Sequence, residues 1–537
     1  MTRRLLIATA GAGALALSVA ATANPGFGLR GTAPVQAMPF AGEYVPSWQE
    51  RRLMATHAQV VPGGYVVEGP YMSQTVHYQQ PTGLRGLAQR APVRFEGSRS
   101  RGVALVERIG VRTQPDHTRD MLDWQENVTG KSVTLLANRA SGLLQDDSLY
   151  VGAGIRGGLF YQKTDVDGQF PLLSRFPFFS PNTDDESGVF AIQNAALSFT
   201  STFGDWTTVY LQPEYSETEY PREQDEFQLR KAFVVFGNLE RSPFYAAFGR
   251  KTIDFGNFDT YNPFTHSEAQ HYFWSVSDQP VLEVGYFNDG WKVTGSAFSG
   301  GRQLRTAFAD EENNIANYAF NIEKAWGVRD GIFAVGGGYL HDSIYRDNFT
   351  AHTFLGRFNG TPPANLINGR NSVVTGWAEY NSPVIDLMAE YTTTLEPWGA
   401  AIPQTPDGVP LPQYLIDPAG STTDFDNIAF DQNLEVITAQ VRVKPELWGK
   451  PLALSYSGSW GFIGDEFESV SPITGEELSW EENQQHVLGL EYPVSPYLDI
   501  GAEYVFNRGF IPFVAPQRIS NEETEAHAAV IGFKARF

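Results

Sequence analysis

Three short motifs could carry chemistry on residue types alone, but none has the surroundings that its chemistry needs. Residues 152–157 (GAGIRG) have the glycine spacing of a dinucleotide-binding turn, yet they lie inside an alternating segment with no βαβ unit after it. His266, Glu268 and His271 could bind a metal only if their loop folded suitably, and residues 165–168 (DVDG) are a fragment of a calcium loop. The chain has no G-x-S-x-G nucleophile motif. We therefore expect neither an enzyme nor a bound metal or cofactor.

Composition excludes further classes. The 537 residues include no Cys, which excludes zinc ribbons, disulfide-stapled domains and cysteine enzymes. The chain has 39 Lys and Arg against 61 Asp and Glu, a net charge of −22. Such an acidic chain is not expected to bind nucleic acid, because phosphate backbones are held mainly by Lys and Arg.

The sequence divides into three parts. Residues 1–23 place two arginines before an apolar run that ends in small residues, the pattern of a cleaved secretory signal peptide. Residues 24–147 show no strand series and are interpreted as a periplasmic or plug region. Residues 148–537 are interpreted as the main domain, an outer-membrane β-barrel.

Period-two alternation is the main evidence for the barrel. Near the end of the chain, Ile531, Phe533 and Phe537 share one parity, while Lys534 and Arg536 occupy the other. About sixteen such segments occur between residue 148 and residue 537, many of them near ten residues long. This is the length and pattern of strands that face lipid on one side and a wet lumen on the other. The predicted fold is all-β, a closed antiparallel transmembrane barrel of about sixteen strands with an N-terminal non-barrel region.

The connections between these segments alternate in length. Short ones carry turn residues, and Trp206, Trp291, Trp326 and Trp448 lie at or beside them, where an interfacial aromatic girdle would sit. Long ones fall between, as expected for external loops. A lipid-embedded sheet must close, and sixteen strands enclose more space than wall side chains fill. Solute passage through the outer membrane of a Gram-negative bacterium is therefore the expected function.

The third long connection, residues 252–279, is expected to fold inward and constrict the pore. It has acidic and aromatic residues and no Lys or Arg, whereas the two strands before it have adjacent basic pairs, of which one member should face the lumen. Opposed charges across a narrow gap would sort ionic solutes, although the basic residues could instead anchor the loop or contact lipopolysaccharide. The predicted constriction residues are Asp254, Asp259, Glu268, Arg230, Lys231, Arg250 and Lys251.

Other ionic residues share the lumen-facing parity, and both signs occur among them. These predicted lumen-lining residues are Arg156, Asp386, Glu390, Arg442, Lys444, Glu491, Asp499, Glu503, Lys534 and Arg536. The long connections 396–432 and 464–482 have acids and no base, so they would enrich cations at the pore mouth or bind lipopolysaccharide through divalent ions.

Residues 205–206 (DW), 214–217 (EYSE), 228–232 (QLRKA), 254–256 (DFG) and 280–286 (PVLEVGY) resemble the LbtU-type siderophore-porin family, typified by the legiobactin receptor. The resemblance is clear over roughly residues 130–300. It implies a sixteen-stranded barrel that imports a ferric siderophore without a TonB-dependent plug.

Two rival functions stay open, a general diffusion porin for small ions and nutrients and a non-conducting barrel that anchors an adhesin. The expected partners are membrane lipid, lipopolysaccharide and a small-molecule solute, with the barrel-assembly machinery engaged through Phe537. A barrel of this size is compatible with a homotrimer, although no residue indicates one.

Overall fold

The computed structural model describes residues 58–61, 64–67, 75–76, 110–122, 124–164, 186–217, 227–274, 280–299, 315–341, 372–395, 433, 435–462, 468–470, 477–479, 482–509 and 525–537. The predicted signal peptide at residues 1–23, the DVDG fragment and the acidic loop 396–432 lie outside the described residues.

The described residues are mostly strands. The strands are β1 (Ala58–Val61), β2 (Gly64–Val67), β3 (Thr75–Val76), β4 (Gly110–Arg112), β5 (Ser148–Thr164), β6 (Glu186–Phe203), β7 (Thr207–Tyr215), β8 (Phe227–Gly237), β9 (Phe244–Arg250), β10 (Val281–Asn288), β11 (Trp291–Ser299), β12 (Ile315–Val328), β13 (Gly331–Leu340), β14 (Val373–Asn381), β15 (Ile385–Thr394), β16 (Glu435–Val443), β17 (Glu446–Leu447), β18 (Lys450–Pro451), β19 (Ala453–Phe462), β20 (Glu468–Val470), β21 (Glu477–Ser479), β22 (Glu482–Ser495), β23 (Leu498–Arg508) and β24 (Glu525–Arg536). The helices are α1 (Pro115–Met121), α2 (Lys131–Ala140) and α3 (Glu268–Phe273).

Within the described part of the chain, sixteen strands close into one antiparallel barrel: β5 to β16, β19, β22, β23 and β24. Neighbours in sequence pair with each other, and β24 pairs with β5 to close the cylinder. This confirms the predicted fold class and strand number. The short β4 pairs in parallel with the first residues of β5, Ser148 to Tyr150, which precede the part of β5 that pairs with β24. Three small sheets, β1–β2–β3, β17–β18 and β20–β21, are not hydrogen-bonded to the barrel sheet among the described residues.

The barrel exterior is apolar. Outward side chains such as Phe190, Leu282 and Ile531 are exposed by 82%, 52% and 67%, an arrangement that would be unfavourable in water but is required in lipid. Phe533 and Leu454, on the predicted lipid-facing parity, are also exposed. The four tryptophans beside the short turns are exposed as well, as a girdle requires: Trp206, Trp291, Trp326 and Trp448. No helix among the described residues is long and apolar enough to cross a membrane. A closed barrel with this exterior belongs in the outer membrane of a Gram-negative bacterium.

Two β-bulges change which side chains reach the lumen. Opposite Gln212 and Pro213, β8 contains one extra residue, Arg230, so both Arg230 and Lys231 are buried inside the barrel. In β6 the extra residue is Gln193, which is likewise buried. A bulge breaks strict alternation and redirects one side chain, so these two inward positions could not be read from parity.

Candidate functional site in the barrel lumen

The third long connection folds into the lumen. We call residues 251–274 the inward loop; every side chain of it that the structure describes is buried. Carboxylates on the barrel wall hold its backbone: Glu390 accepts from the amide of Phe258 at 3.1 Å, and Glu503 accepts from the amide and hydroxyl of Thr265 at 3.0 and 2.7 Å. A carboxylate that accepts backbone N–H groups forms charge-assisted hydrogen bonds, which are stronger than neutral ones. The loop is therefore fixed across the lumen rather than left loose at its mouth.

Asp254 lies at the start of the inward loop, in a network with the wall. Lys292 donates to it at 3.0 Å, Asn321 at 2.9 Å and Thr294 at 3.1 Å. Burial would raise the pKa of Asp254, but the Lys292 ammonium outweighs burial and holds this pKa below its ordinary value. Lys292 also lies 3.5 Å from Glu323. Lys292 and Glu323 follow the same inward parity as the predicted lumen residues, so the sequence contained the signal that would have found them.

The predicted basic residues occupy three different surroundings. Lys251 is fully buried, in an ion pair with Glu283 and at 2.8 Å from the hydroxyl of Ser132. The Arg230 guanidinium lies 5.3 Å from the ring centre of Trp274, within the range of a cation–π contact. Lys231 is buried, and Arg250, on the other parity, is half-buried. Lys251 and Asp254 each have a counter-ion on the wall, Glu283 and Lys292 respectively. The transverse field between the basic residues and the loop acids stays a prediction.

A second segment fills the lumen from the short-turn end. We call residues 113–147 the N-terminal segment; it contains α1 and α2 and enters beside Arg139, which donates to the carbonyl of Thr207 at 3.1 Å. One apolar face of α2, including Leu136, packs against buried wall aromatics such as Tyr210 and Phe233. Burial of these side chains is the main favourable contribution to docking. The sequence interpretation left open whether this region lies in the periplasm or in the pore, and the structure has this part of it in the lumen.

The N-terminal segment also contacts the inward loop. The Val128 amide donates to Asp259 at 2.9 Å, and the Trp274 indole donates to the Val128 carbonyl at 3.1 Å. Gln125 donates to the carbonyl of Phe264 at 2.5 Å, while its side-chain oxygen accepts from Arg156 at 2.6 Å. The two segments thus form one continuous filling.

Asp259 lies where the N-terminal segment meets the inward loop, and burial there changes its pKa. Burial raises the pKa of Asp259 to about 7, against the opposing effect of the Val128 and Asn127 amides. The carboxyl therefore titrates near neutral pH at the junction between the N-terminal segment and the inward loop.

Arg442 joins all three parts of the structure. Its guanidinium binds both oxygens of Glu126 in the N-terminal segment, at 2.5 and 3.0 Å, and Asp386 on the wall at 2.7 Å. It also lies 4.5 Å from the ring centre of Tyr261 in the inward loop. Partial burial would raise the pKa of Glu126, but Arg442, together with the nearby Lys534 and Lys444, holds this pKa below its ordinary value. The sequence placed Arg442 on the lumen face but gave no sign of Glu126 as its partner.

The remaining predicted lumen residues lie on the inner wall in pairs. Lys444 donates to Asp386 at 2.8 Å, and Lys534 donates to Glu491 at 2.6 Å. Arg536 binds Asp499 through two contacts, the longer of which is 3.4 Å. Short pairs of this kind leave little net charge on that part of the wall.

The structure describes the side chains of two of the three residues in the histidine motif of the inward loop. Glu268 and His266 are buried, while the side chain of His271 lies outside the described residues. Burial raises the pKa of Glu268 to about 8, so this carboxyl is largely protonated at neutral pH. Among the described residues, no group of three or more His, Cys, Asp and Glu side chains is arranged to hold a metal ion.

Comparisons with known proteins give few matches in sequence and many in structure. A family described as a protein of unknown function (DUF3573) matches residues 178–320. No curated protein matches the sequence. Similar structures include OprB of Pseudomonas putida (13% identity, 72% of this chain and 94% of that one, TM-score 0.45) and the outer membrane channel DcaP of Acinetobacter baumannii (13% identity, 72% and 97%, TM-score 0.41). An anion-selective porin from Comamonas acidovorans is 11% identical over 73% of this chain and 99% of that one, with a TM-score of 0.43.

Proposed function

We propose that this protein is an outer-membrane porin that passes small hydrophilic solutes through a lumen narrowed by two inserted segments. The observation that carries the proposal is the division of the barrel surface: the exterior is apolar, whereas the inner wall carries many polar and ionic side chains. A barrel that served only as an anchor would need no ion pairs such as Lys292–Asp254 and Lys534–Glu491 along its inside. Polar inner walls are the property of a hydrated passage.

The inserted segments set the size of what can pass. Sixteen strands enclose a lumen too wide to be filled by wall side chains, and here the inward loop and the N-terminal segment take up much of it. A small cavity remains where both segments meet the wall, lined by polar residues that include Asn127, Asp259, Lys292 and Glu379. This narrowing of the lumen favours small polar solutes over large ones.

The kind of solute is open between two candidates. The resemblance to siderophore porins favours a ferric siderophore taken up without TonB coupling. General diffusion of small ions and nutrients fits the described lumen at least as well, because Lys251, Lys292 and Arg442 are each matched by a carboxylate. An anionic iron chelate would need cations that are not already neutralised.

Single-channel recording of the purified protein in planar bilayers tests the proposal. We expect small, discrete conductance steps and a reversal potential near zero under a salt gradient, because paired charges leave little net selectivity. An absence of steps in correctly folded protein would favour the anchor. Growth of a deletion strain under iron limitation, on a series of ferric chelates, then separates siderophore uptake from general diffusion. If one ferric chelate is the cargo, the deletion should abolish growth on that chelate and leave growth on the others unchanged.

A further inference from the structure

The inner wall carries both charged and uncharged inward side chains. On β8 to β15 the inward positions include Lys231, Glu283, Lys292 and Glu323, all buried. On β16 to β23, at the level of the long connections, they are hydroxyls and amides. The register aligns them in one row, in which Thr438 is opposite Ser459, Ser459 is opposite Gln485, and Gln485 is opposite Asn507. We call Thr438, Ser459, Gln485 and Asn507 the amide–hydroxyl belt.

The belt has more hydrogen-bond acceptors than the protein satisfies. Its hydroxyls, Thr438 and Ser459, bond to each other at 3.1 Å. The side-chain oxygens of Gln485 and Asn507 are buried and have no hydrogen-bond partner among the described residues, and the same is true of Asn483 beside them. A buried acceptor without a donor loses its water and gains nothing in return, so three such groups on neighbouring positions are an unfavourable feature unless a ligand pairs with them.

The inward loop adds unsatisfied groups of its own. Helix α3 packs beside β16 and β19. Within the part of the chain that the structure describes, both carboxyl oxygens of Glu268 and the side-chain oxygen of Gln270 are buried without a hydrogen-bond partner. Because Glu268 is largely protonated at neutral pH, it presents a neutral carboxyl beside β16 and β19. Both the wall and the helix that covers it therefore offer neutral hydrogen-bonding groups.

We infer that the amide–hydroxyl belt is a binding track for small neutral solutes rich in hydroxyl groups, such as sugars and polyols. Hydroxyls supply the donors that the amide oxygens lack, and they accept from the amide NH₂ groups in the same contact. An ammonium solute also carries donors, but its desolvation beside uncharged groups would be costly. An anion carries acceptors and would leave the amide oxygens unsatisfied. This inference rests on the proposed porin function and names the solute class that uses one side of the pore.

Binding to the whole protein tests the inference without requiring conductance. The probe is maltotriose, titrated calorimetrically into the protein in detergent micelles, with an oligo(ethylene glycol) dimethyl ether of similar mass as a probe that has acceptors and no donors. We expect maltotriose to bind and the ether not to bind. The variant Gln485→Leu/Asn507→Leu keeps the side-chain volume but removes both amides, and should weaken maltotriose binding about tenfold or more.

Matched controls separate the belt from the rest of the barrel. Asn317→Leu removes a buried inward amide at the same end of β12, a strand outside the belt, and should leave maltotriose affinity unchanged. Heat-modified electrophoretic mobility reports whether each variant is a folded barrel. If the double variant does not fold, the single variant Gln485→Leu is used in its place. Equal affinity of the belt variant and the unaltered protein would overturn the inference, as would binding of the ether as tight as that of maltotriose. Sugar binding without channel steps would instead refute the porin while leaving the belt in place.

Discussion

The contact between Arg442 and Glu126 should control whether the N-terminal segment stays in the pore. The change is Arg442→Met, which keeps the aliphatic stem and removes the guanidinium. It deletes the two-point contact with Glu126 and the cation–π contact with Tyr261, but Asp386 retains Lys444 as a counter-ion. The N-terminal segment and the inward loop would thus lose their shared ionic partner, while the barrel strands keep their pairing.

The free energy of docking lost in Arg442→Met depends on how deeply the Arg442–Glu126 pair is buried. Breaking a fully buried pair costs about 3–5 kcal/mol, but the Glu126 side chain is 39% exposed, which reduces the loss to about 1–2 kcal/mol. The cation–π contact adds about 0.5–1 kcal/mol. A total near 2 kcal/mol corresponds to an undocked population about thirty times larger.

Two assays measure this population. In planar bilayers, Arg442→Met channels should show more frequent transitions to a larger conductance. In solution, trypsin should cut faster at Lys131, whose ammonium is fully buried and donates to the carbonyls of Asp120 and Leu122 while the segment is docked. Lys444→Met is the matched control, because it removes another contact of Asp386 without touching the N-terminal segment. The reasoning is refuted if Arg442→Met and the control give the same conductance and the same cleavage rate.

Three further predictions concern the loop, the wall and the exterior. Burial raises the pKa of Glu268 to about 8, so the docked loop keeps a proton that the undocked loop releases near pH 4.5. Docking therefore weakens as pH rises between these values, by about 5 kcal/mol at most. Glu268→Gln cannot ionise, so hydrogen exchange across residues 251–274 should be slower in it than in the unaltered protein at pH 9 and equal near pH 4. Lys251→Met removes the cation of its ion pair with Glu283 and leaves that carboxylate buried, which should lower the free energy of unfolding by about 3–5 kcal/mol. Adding Glu283→Leu should restore much of this loss, as measured by urea titration. Ile531→Arg puts a charge on the lipid face and should cost about 2–4 kcal/mol in folding titrations into lipid vesicles, and no change there would place this residue outside the hydrocarbon region.

The outline of the fold could be predicted because each part of it has a local signature. A strand between lipid and water must alternate, so Ile531 and Phe533 against Lys534 and Arg536 indicate a strand and its two faces without any tertiary information. Turn chemistry and connection length separate the two ends of the barrel in the same way. Inward ionic residues such as Glu503 follow from parity once the faces are assigned.

The partners within the lumen could not be predicted, since they depend on contacts between distant parts of the chain. Glu503 holds backbone amides of the inward loop 238 residues away, and backbone amides occur at every non-proline position, so no sequence pattern marks the ones that are used. Arg230 faces inward because it is the extra residue of a bulge, and the sequence alone does not show at which residue a bulge interrupts the alternation.

The sequence by itself determined a closed barrel, its lipid face and the parity of its lumen residues, because lipid and water impose these on every strand separately. Only the tertiary structure decided that residues 113–147 enter the lumen, that Arg442 joins them to the inward loop, and that one side of the wall carries unsatisfied amides. Those features depend on which groups meet across the cylinder, and that is set by how the whole barrel closes and what volume the closure leaves to fill.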